Sequence, residues 1–205
     1  MKVVIVGGGA GGISTASNIR KIDNDCEIVV LTRDDKVAYS PCAIPYVLSG
    51  TIKSFDDIVM RTPEDYKKKD IDVITEVEVT AVDSDKKTVT YESGSKSKTI
   101  KYDKLVLATG GNPFVPPMDG VDLDGVYQIR NIEDGKRVQD AMKDAKSAIV
   151  TGAGLIGIEI AFALMKQGLN VTLSEMMPQI VPRSLDKDMS DILVNILKWK
   201  ESMLS

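Results

Sequence analysis

Three glycines, Gly7, Gly9 and Gly12, within Gly7-Gly8-Gly9-Ala10-Gly11-Gly12, recur with the same spacing as Gly152, Gly154 and Gly157 within Gly152-Ala153-Gly154-Leu155-Ile156-Gly157. Each run follows a short β-branched stretch and opens a segment of helical periodicity, which is the setting in which such glycines bind a dinucleotide. The first glycine permits a tight strand-to-helix turn. The second lets the backbone approach a pyrophosphate, and the third lets helix pack closely on strand. The free N–H groups of the helix N-terminus then face the phosphates. Two such runs imply two nucleotides. Between them stands Cys42, in Ser40-Pro41-Cys42-Ala43-Ile44-Pro45-Tyr46, where a thiol held over one bound nucleotide could exchange electrons with it. The combination points to flavin and thiol redox chemistry.

The elements needed to position these residues are readable. In the first copy, residues 3–6 form the continuous apolar run of a strand buried on both faces. Residues 13–22 have helical spacing, and a second strand follows at 27–31. In the second copy, residues 148–150 lead into the loop, 158–166 make the helix, Gly168 stops it, and 170–174 make the next strand. That strand ends at Glu175, where an acid would meet a ribose hydroxyl.

Composition bounds the function. The chain has 205 residues, 43% of them hydrophobic, and no apolar run long enough to span a membrane. The first strand starts at Lys2, leaving no space for a signal peptide, so a cytoplasmic protein is expected. A net charge of −4 and a pI near 5.0 argue against nucleic acid as partner, since phosphate contacts want a basic face. Two cysteines do not make a disulfide framework, and the absence of histidine removes the commonest metal ligand and general base, so no metal site is expected. Cys26, in a polar turn, reads as structural or incidental.

After Cys42, residues 46–50 and 55–66 read as short helical pieces, with Thr62 capping and Pro63 in the first turn of the last. Residues 71–75, 77–83, 88–93 and 99–102 alternate like an antiparallel meander, with turns at 83–87 and 93–98. Residues 104–111 return to a buried parallel strand ending in a glycine turn. Pro113, Pro116 and Pro117 stop regular structure beyond it, and 128–143 is mostly helical. The expected fold class is α/β: two Rossmann-like, doubly wound parallel units with an antiparallel meander in the first.

The order of these motifs resembles one known family. The first fingerprint, Ser-x-Cys-x-x-Pro-Tyr, the meander, Leu107-Ala108-Thr109-Gly110, the second fingerprint with Glu159, and Glu175-Met176-x-Pro-Gln-Ile-Val-Pro-Arg are similar to the single-cysteine flavin disulfide reductases. These belong to the pyridine nucleotide-disulfide oxidoreductases and include NADH oxidases, NADH peroxidases and coenzyme A disulfide reductases. The resemblance implies an FAD-binding domain over residues 1–111 with the meander at about 71–102. It further implies a crossing segment at 112–146 and the first half of an NAD(P)H-binding domain at 147–205. Hydride would pass from NADH to FAD to Cys42.

Residue roles follow from the resemblance where the motifs match. For FAD these are Gly7, Gly9, Ala10, Gly11, Gly12, Thr32, Arg33, Ser40, Pro41, Val79 through its backbone, Ala108, Thr109, Gly110 and Arg130. For NAD they are Gly152, Gly154, Leu155, Ile156, Gly157, Glu159 and Glu175, the last disfavouring the extra phosphate of NADPH. Cys42 is the redox group, alternating between a thiolate and either a mixed disulfide with coenzyme A or a sulfenic acid. Arg20 and Lys21 match positions that in coenzyme A disulfide reductases are basic towards the coenzyme A phosphates, with a solvated helix end as the other reading, and Tyr39 is expected as a pocket wall beside the substrate. NADH oxidases and peroxidases carry a histidine where this chain has Ala10, which leans the expectation towards a disulfide such as coenzyme A disulfide, with oxygen or peroxide as the other substrates.

The chain departs from that pattern in two places. Thr32 and Arg33 stand where an acid would bond the FAD ribose, with Asp34 close by. The chain also stops at Ser205, where the family continues with the rest of the NAD fold, a returning FAD segment and a homodimer interface. The tail 199–205 lacks the glycine-rich turn expected there, so a fragment with doubtful turnover on its own is the expectation. Two other readings stay open: a non-catalytic nucleotide-binding fragment, and an NAD(P)-dependent dehydrogenase without flavin.

Overall fold

A computed structural model describes the backbone of residues 1–204 and the side chains of residues 1–197. Ser205 lies outside the described residues, as do the side chains of the tail that precedes it. The chain runs through β1 (Lys2–Val6), α1 (Ala10–Ile22), β2 (Glu27–Leu31), a 3-10 turn at Pro41–Ala43, α2 (Ile44–Leu48), a second such turn at Asp56–Ile58, and α3 (Pro63–Lys67). It continues with β3 (Ile71–Ile74), β4 (Val77–Asp83), β5 (Thr88–Ser93), β6 (Lys96–Lys101), β7 (Lys104–Leu107) and α4 (Ile132–Met142). The last elements are β8 (Ser147–Thr151), α5 (Leu155–Lys166), β9 (Asn170–Ser174) and α6 (Lys187–Leu204). They group into two units, Met1–Ser40 with Val59–Asn112, and Pro41–Ile58 with Pro113–Ser205.

In the first unit a four-stranded sheet has the order β3-β2-β1-β7, and every pair in it is parallel. The continuous β-branched runs of β1 and β2 are there because both faces are covered. Val4, Ile5, Val30 and Leu31 are all fully buried, and each such side chain contributes roughly 1.5–3 kcal/mol. Alternate residues face opposite ways. Val3, Ile5, Ile28 and Val30 pack with Ile13 and Ala16 of α1 and with Tyr66 of α3, whereas Val4, Val6, Val29 and Leu31 pack with Val77, Val89 and Tyr91 of the meander. At the start of α3, Thr62 donates its N–H to Asp65 at 3.2 Å, which closes the expected cap.

The meander is β4-β5-β6, antiparallel throughout, and two expectations about it need correction. The sequence predicts residues 71–75 as its first strand, but β3 pairs in parallel with β2 and completes the first sheet. Alternation over so few residues carries no information about strand direction; the left-handed Glu76, at φ +56°, turns the chain between the two sheets. Residues 93–98 were expected as a turn, but β6 begins at Lys96, directly after a two-residue turn with Gly94 at φ +60°. Its Lys and Ser residues are exposed because β6 is an edge, where charge discourages pairing with other chains.

In the second unit β8 and β9 form a parallel pair joined through α5, the expected second β-α-β. α2 packs against α4 and α5, and a Cβ on Gly135 of α4 would lie 2.7 Å from the Phe55 ring, so these pieces are in close contact. The cap of α4 is reciprocal: Asp134 donates its N–H to Asn131 Oδ1 at 2.9 Å and takes the Asn131 N–H at 3.2 Å. Among the described residues, no helix is long and apolar enough to cross a membrane.

Candidate functional site

The first glycine loop lies at the carboxyl ends of β1 and β7, on either side of the point where strand order reverses and where open α/β sheets bind ligands. Gly7, at φ +116°, donates its N–H to the Leu31 carbonyl at 2.8 Å. A Cβ there would sit 2.1 Å from the Ala108 carbonyl oxygen, and one on Gly12 would sit 1.9 Å from the Gly7 carbonyl. Both positions therefore require glycine. Gly9 differs: it has ordinary extended backbone, at φ −74° and ψ −172°, and a Cβ on it would meet nothing within 4 Å. The open space is over the middle glycine, where a pyrophosphate would approach. The first helical hydrogen bond runs from Ile13 N–H to Gly9 carbonyl at 3.0 Å, so the N–H groups of Ala10, Gly11 and Gly12 precede the ladder. No acidic residue stands in the first turn of α1 to oppose an anion.

The neighbours of this loop follow the same logic. Ala108 continues the sheet by donating to the Val6 carbonyl at 2.8 Å, and Gly110, at φ +69°, turns the chain away after exposed Thr109. Thr32 is 6% exposed, and its Cβ and Oγ1 would lie 2.8 Å from a Cβ on Gly8, so it packs beneath the loop. Arg33 is exposed and pairs with Glu78 at 4.0 Å. In β4 the register slips between Val79 and Ala81. Such a bulge interrupts the ladder beside the residue expected to meet adenine.

The second loop repeats the construction. Gly152, at φ +101°, donates to the Ser174 carbonyl at 2.7 Å, and Gly154 has φ −78° and ψ −177°, close to the angles of Gly9. A Cβ on Gly157 would lie 1.9 Å from the Gly152 carbonyl, whereas one on Gly154 would meet nothing within 4 Å. Leu155, Ile156 and Glu159, in the first turns of α5, are exposed. Glu175, just past β9, accepts the N–H of Met177 on Oε1 and that of Ala153 on Oε2, each at 2.8 Å. Those two bonds, Met177 first, hold its carboxyl below the ordinary glutamate value. It is a fixed negative charge at neutral pH.

The thiols divide cleanly. Cys42 is exposed on the Pro41–Ala43 turn, and the residues that follow it, Ile44, Pro45, Val47 and Leu48, are buried and anchor α2. Cys26 is 2% exposed in the core under α1, with Sγ 3.6 Å from the Glu27 carbonyl. Ser40, in the first unit, is half-buried, as is Tyr39, which is bridged to Val59. Arg130 is exposed and its N–H donates to Asp134 at 2.8 Å.

One expectation is overturned by geometry. Arg20 was expected to meet a substrate phosphate, but its guanidinium donates to the carbonyls of Lys69, Asp23, Asn24, Cys26 and Asp70, at 2.6 to 3.1 Å. Every N–H of the group is engaged, so Arg20 ties the end of α1 to the turn before β3. Lys21 beside it is exposed. Val181 stands in the motif after Glu175 without a role expected for it; its N–H donates to the Ala153 carbonyl at 2.8 Å with its own φ at +48°. No sequence signal marks its left-handed backbone, since a Val before a proline reads as extended.

Comparison with known proteins agrees with this arrangement. The chain is 50% identical over 202 residues to an NADH oxidase of Methanocaldococcus jannaschii, covering 97% of this chain and 45% of that protein. It is 37% identical over 200 residues to an NAD(P)H coenzyme A polysulfide/persulfide reductase of Pyrococcus horikoshii, covering 96% and 44%. The solved structure of an NAD-dependent persulfide reductase from A. fulgidus superposes with a TM-score of 0.95 at 35% identity, over 98% of this chain and 39% of that one. The chain thus spans less than half the length of these relatives. With residues 1–201 matching the family model for pyridine nucleotide-disulphide oxidoreductases, the chain belongs to that family.

Proposed function

We propose that this chain carries the nucleotide-binding and thiol machinery of an FAD-dependent, NADH-driven disulfide oxidoreductase with Cys42 as its redox group. The observation that carries the reading is the exposed Cys42 on a turn whose following residues are buried, a thiol displayed instead of packed. FAD is assigned to the first glycine loop within residues 1–111, and NADH to the second within 147–205, with 112–146 crossing between them. The residues fit both groups: each loop crowds its last glycine and leaves its middle glycine open. FAD, when bound, supplies a two-electron carrier able to take hydride from NADH and reduce a disulfide.

The chain's own residues then have separable tasks. The N–H groups of Ala10, Gly11 and Gly12 bond the FAD phosphates, with Thr32, Arg33, Ser40, Pro41, Ala108, Thr109, Gly110, Arg130 and the Val79 backbone as further contacts. Gly152, Gly154, Leu155, Ile156, Gly157 and Glu159 line the NADH loop, and charged Glu175 repels a 2′-phosphate and so favours NADH over NADPH. Cys42 attacks one sulfur of the substrate disulfide as a thiolate, forming a mixed disulfide as the substrate S–S bond breaks and one thiolate leaves. Reduction of that mixed disulfide by two electrons from NADH returns Cys42 and frees the second thiol. Overall, one disulfide, one NADH and one proton become two thiols and NAD⁺.

A low-molecular-weight disulfide such as coenzyme A disulfide is the favoured substrate over oxygen or peroxide. The chain has no histidine to protonate a peroxide, and Ala10 is small. Lys21 and Tyr39 are the remaining candidates for substrate contact. A cytoplasmic homodimer is part of the same reading. The test is a visible spectrum of the purified chain before and after anaerobic NADH, run also on Gly9→Ala and Cys42→Ser. Wild type should be yellow and bleach. Gly9→Ala should keep the melting temperature of the flavin-free chain but lose flavin at least tenfold, and Cys42→Ser should keep flavin but lose disulfide reduction. A colourless wild type, or a Cys42→Ser variant reducing disulfide at the wild-type rate, overturns the reading.

A further inference from the structure

Five non-glycine residues among those described have positive φ, and Val181, at +48°, is the only β-branched one. A β-branched side chain is strained there, because Cβ crowds the carbonyl that follows. Pro182 bars the right-handed helical region to the residue before it, so extended backbone is the relaxed alternative. The strain persists because the buried Val181 side chain and the hydrogen bonds of the turn together hold the backbone. The Val181 carbonyl accepts the N–H groups of Ser184 and Leu185 at 3.0 and 3.1 Å. The carbonyl before it, on Ile180, accepts the hydroxyl of fully buried Ser190 at 3.0 Å, and Gln179 Nε2 donates to the Leu185 carbonyl at 2.8 Å. The Val181 side chain is 3% exposed.

The Val181 N–H reaches the Ala153 carbonyl at 2.8 Å. Ala153 lies between Gly152 and Gly154, is fully buried, and gives its own N–H to Glu175 Oε2 at 2.8 Å. The glycine loop is therefore held from two directions. The peptide bond is planar and trans, so fixing the Ala153 carbonyl towards Val181 turns the Gly154 N–H the opposite way. We infer that Val181 is a positioning residue for the second glycine loop: its strained backbone aims an N–H at Ala153 and thereby orients the Gly154 donor for a dinucleotide phosphate. This rests on the reading of that loop as the NADH site.

The experiment compares NADH titrations and melting curves of the 205-residue chain as wild type, Val181→Gly and Val181→Ala. Both variants lose the buried isopropyl group, and only glycine takes a left-handed backbone without penalty. Both should melt below wild type. Val181→Gly should bind NADH within about twofold of wild type, whereas Val181→Ala, relaxing to extended backbone, should bind roughly tenfold more weakly. Equal NADH affinity in all three, with melting alone lowered, overturns the inference and leaves Val181 as core filling. A wild type that does not bind NADH overturns the site reading itself and the inference with it. Should Val181→Ala fail to fold, amide hydrogen exchange of wild type decides: bound NADH should slow the Val181 amide at least tenfold, and an unchanged rate overturns the inference.

Discussion

At the scale of single residues, Arg20 shows how a charge that looks available for a ligand can be wholly occupied by the fold. Its donors close carbonyls from the end of α1, from the residue before β2, and from the turn before β3. Lysine cannot replace that fan, because its ammonium is a point donor without the planar fork. Arg20→Ala should therefore destabilise the chain by about 2 kcal/mol or more, and Arg20→Lys should recover less than half of that loss. Urea unfolding midpoints give both values. A neutral Arg20→Lys would show that charge alone suffices and that the carbonyl network contributes little. Neither variant should alter the thiol reactivity of Cys42, which stands on a different element.

At the scale of elements, the two glycine loops separate what the fold needs from what a ligand needs. Gly12→Ala drives a methyl group against the Gly7 carbonyl, 1.9 Å from the ideal Cβ, and α1 must lift from β1 to relieve it. A loss of about 3 kcal/mol is expected, at the upper end of overpacking costs. Gly9→Ala should instead hold or gain up to about 0.5 kcal/mol, since its backbone suits alanine and the unfolded chain loses freedom. Calorimetry of the two flavin-free variants tests this, and equal melting temperatures would remove the distinction between packing and ligand glycines. This layer was legible in the sequence, because continuous apolar runs followed by spaced glycines have few other physical explanations. The prolines around Cys42 singled it out from Cys26, whose polar turn gave no sign of its burial in the core. The direction of β3 was not legible, since residues 71–74 alternate equally well in either orientation, and neither was the start of β6, whose polar residues resemble a turn. The Arg20 network and the Val181 turn depend on contacts far apart in sequence, which no local pattern encodes.

At the scale of the whole molecule, the two β-α-β units share a loop geometry but not a depth of burial. Residues 3–6 and 28–31 are buried without interruption along β1 and β2, whereas β8 and β9 alternate between exposed and half-buried residues, and Ile149 is 75% exposed. Local opening free energy follows such burial. The amides of β1 and β2 should exchange at least tenfold more slowly than those of β8 and β9, a difference of about 1.4 kcal/mol or more in opening free energy. A ligand bound to the folded form alone adds stability by mass action, about 2.7 kcal/mol at a hundred times its Kd. NADH at that level should therefore slow exchange in β8, β9 and α5 by about a hundredfold wherever it proceeds through opening of the NADH loop. Hydrogen exchange read by mass spectrometry, with and without NADH, measures both effects together. Equal protection of the two strand pairs without ligand would show that burial along the strands does not govern local stability here. Slowing confined to β1 and β2 would place the NADH loop on the first unit and reverse the assignment of the two nucleotides.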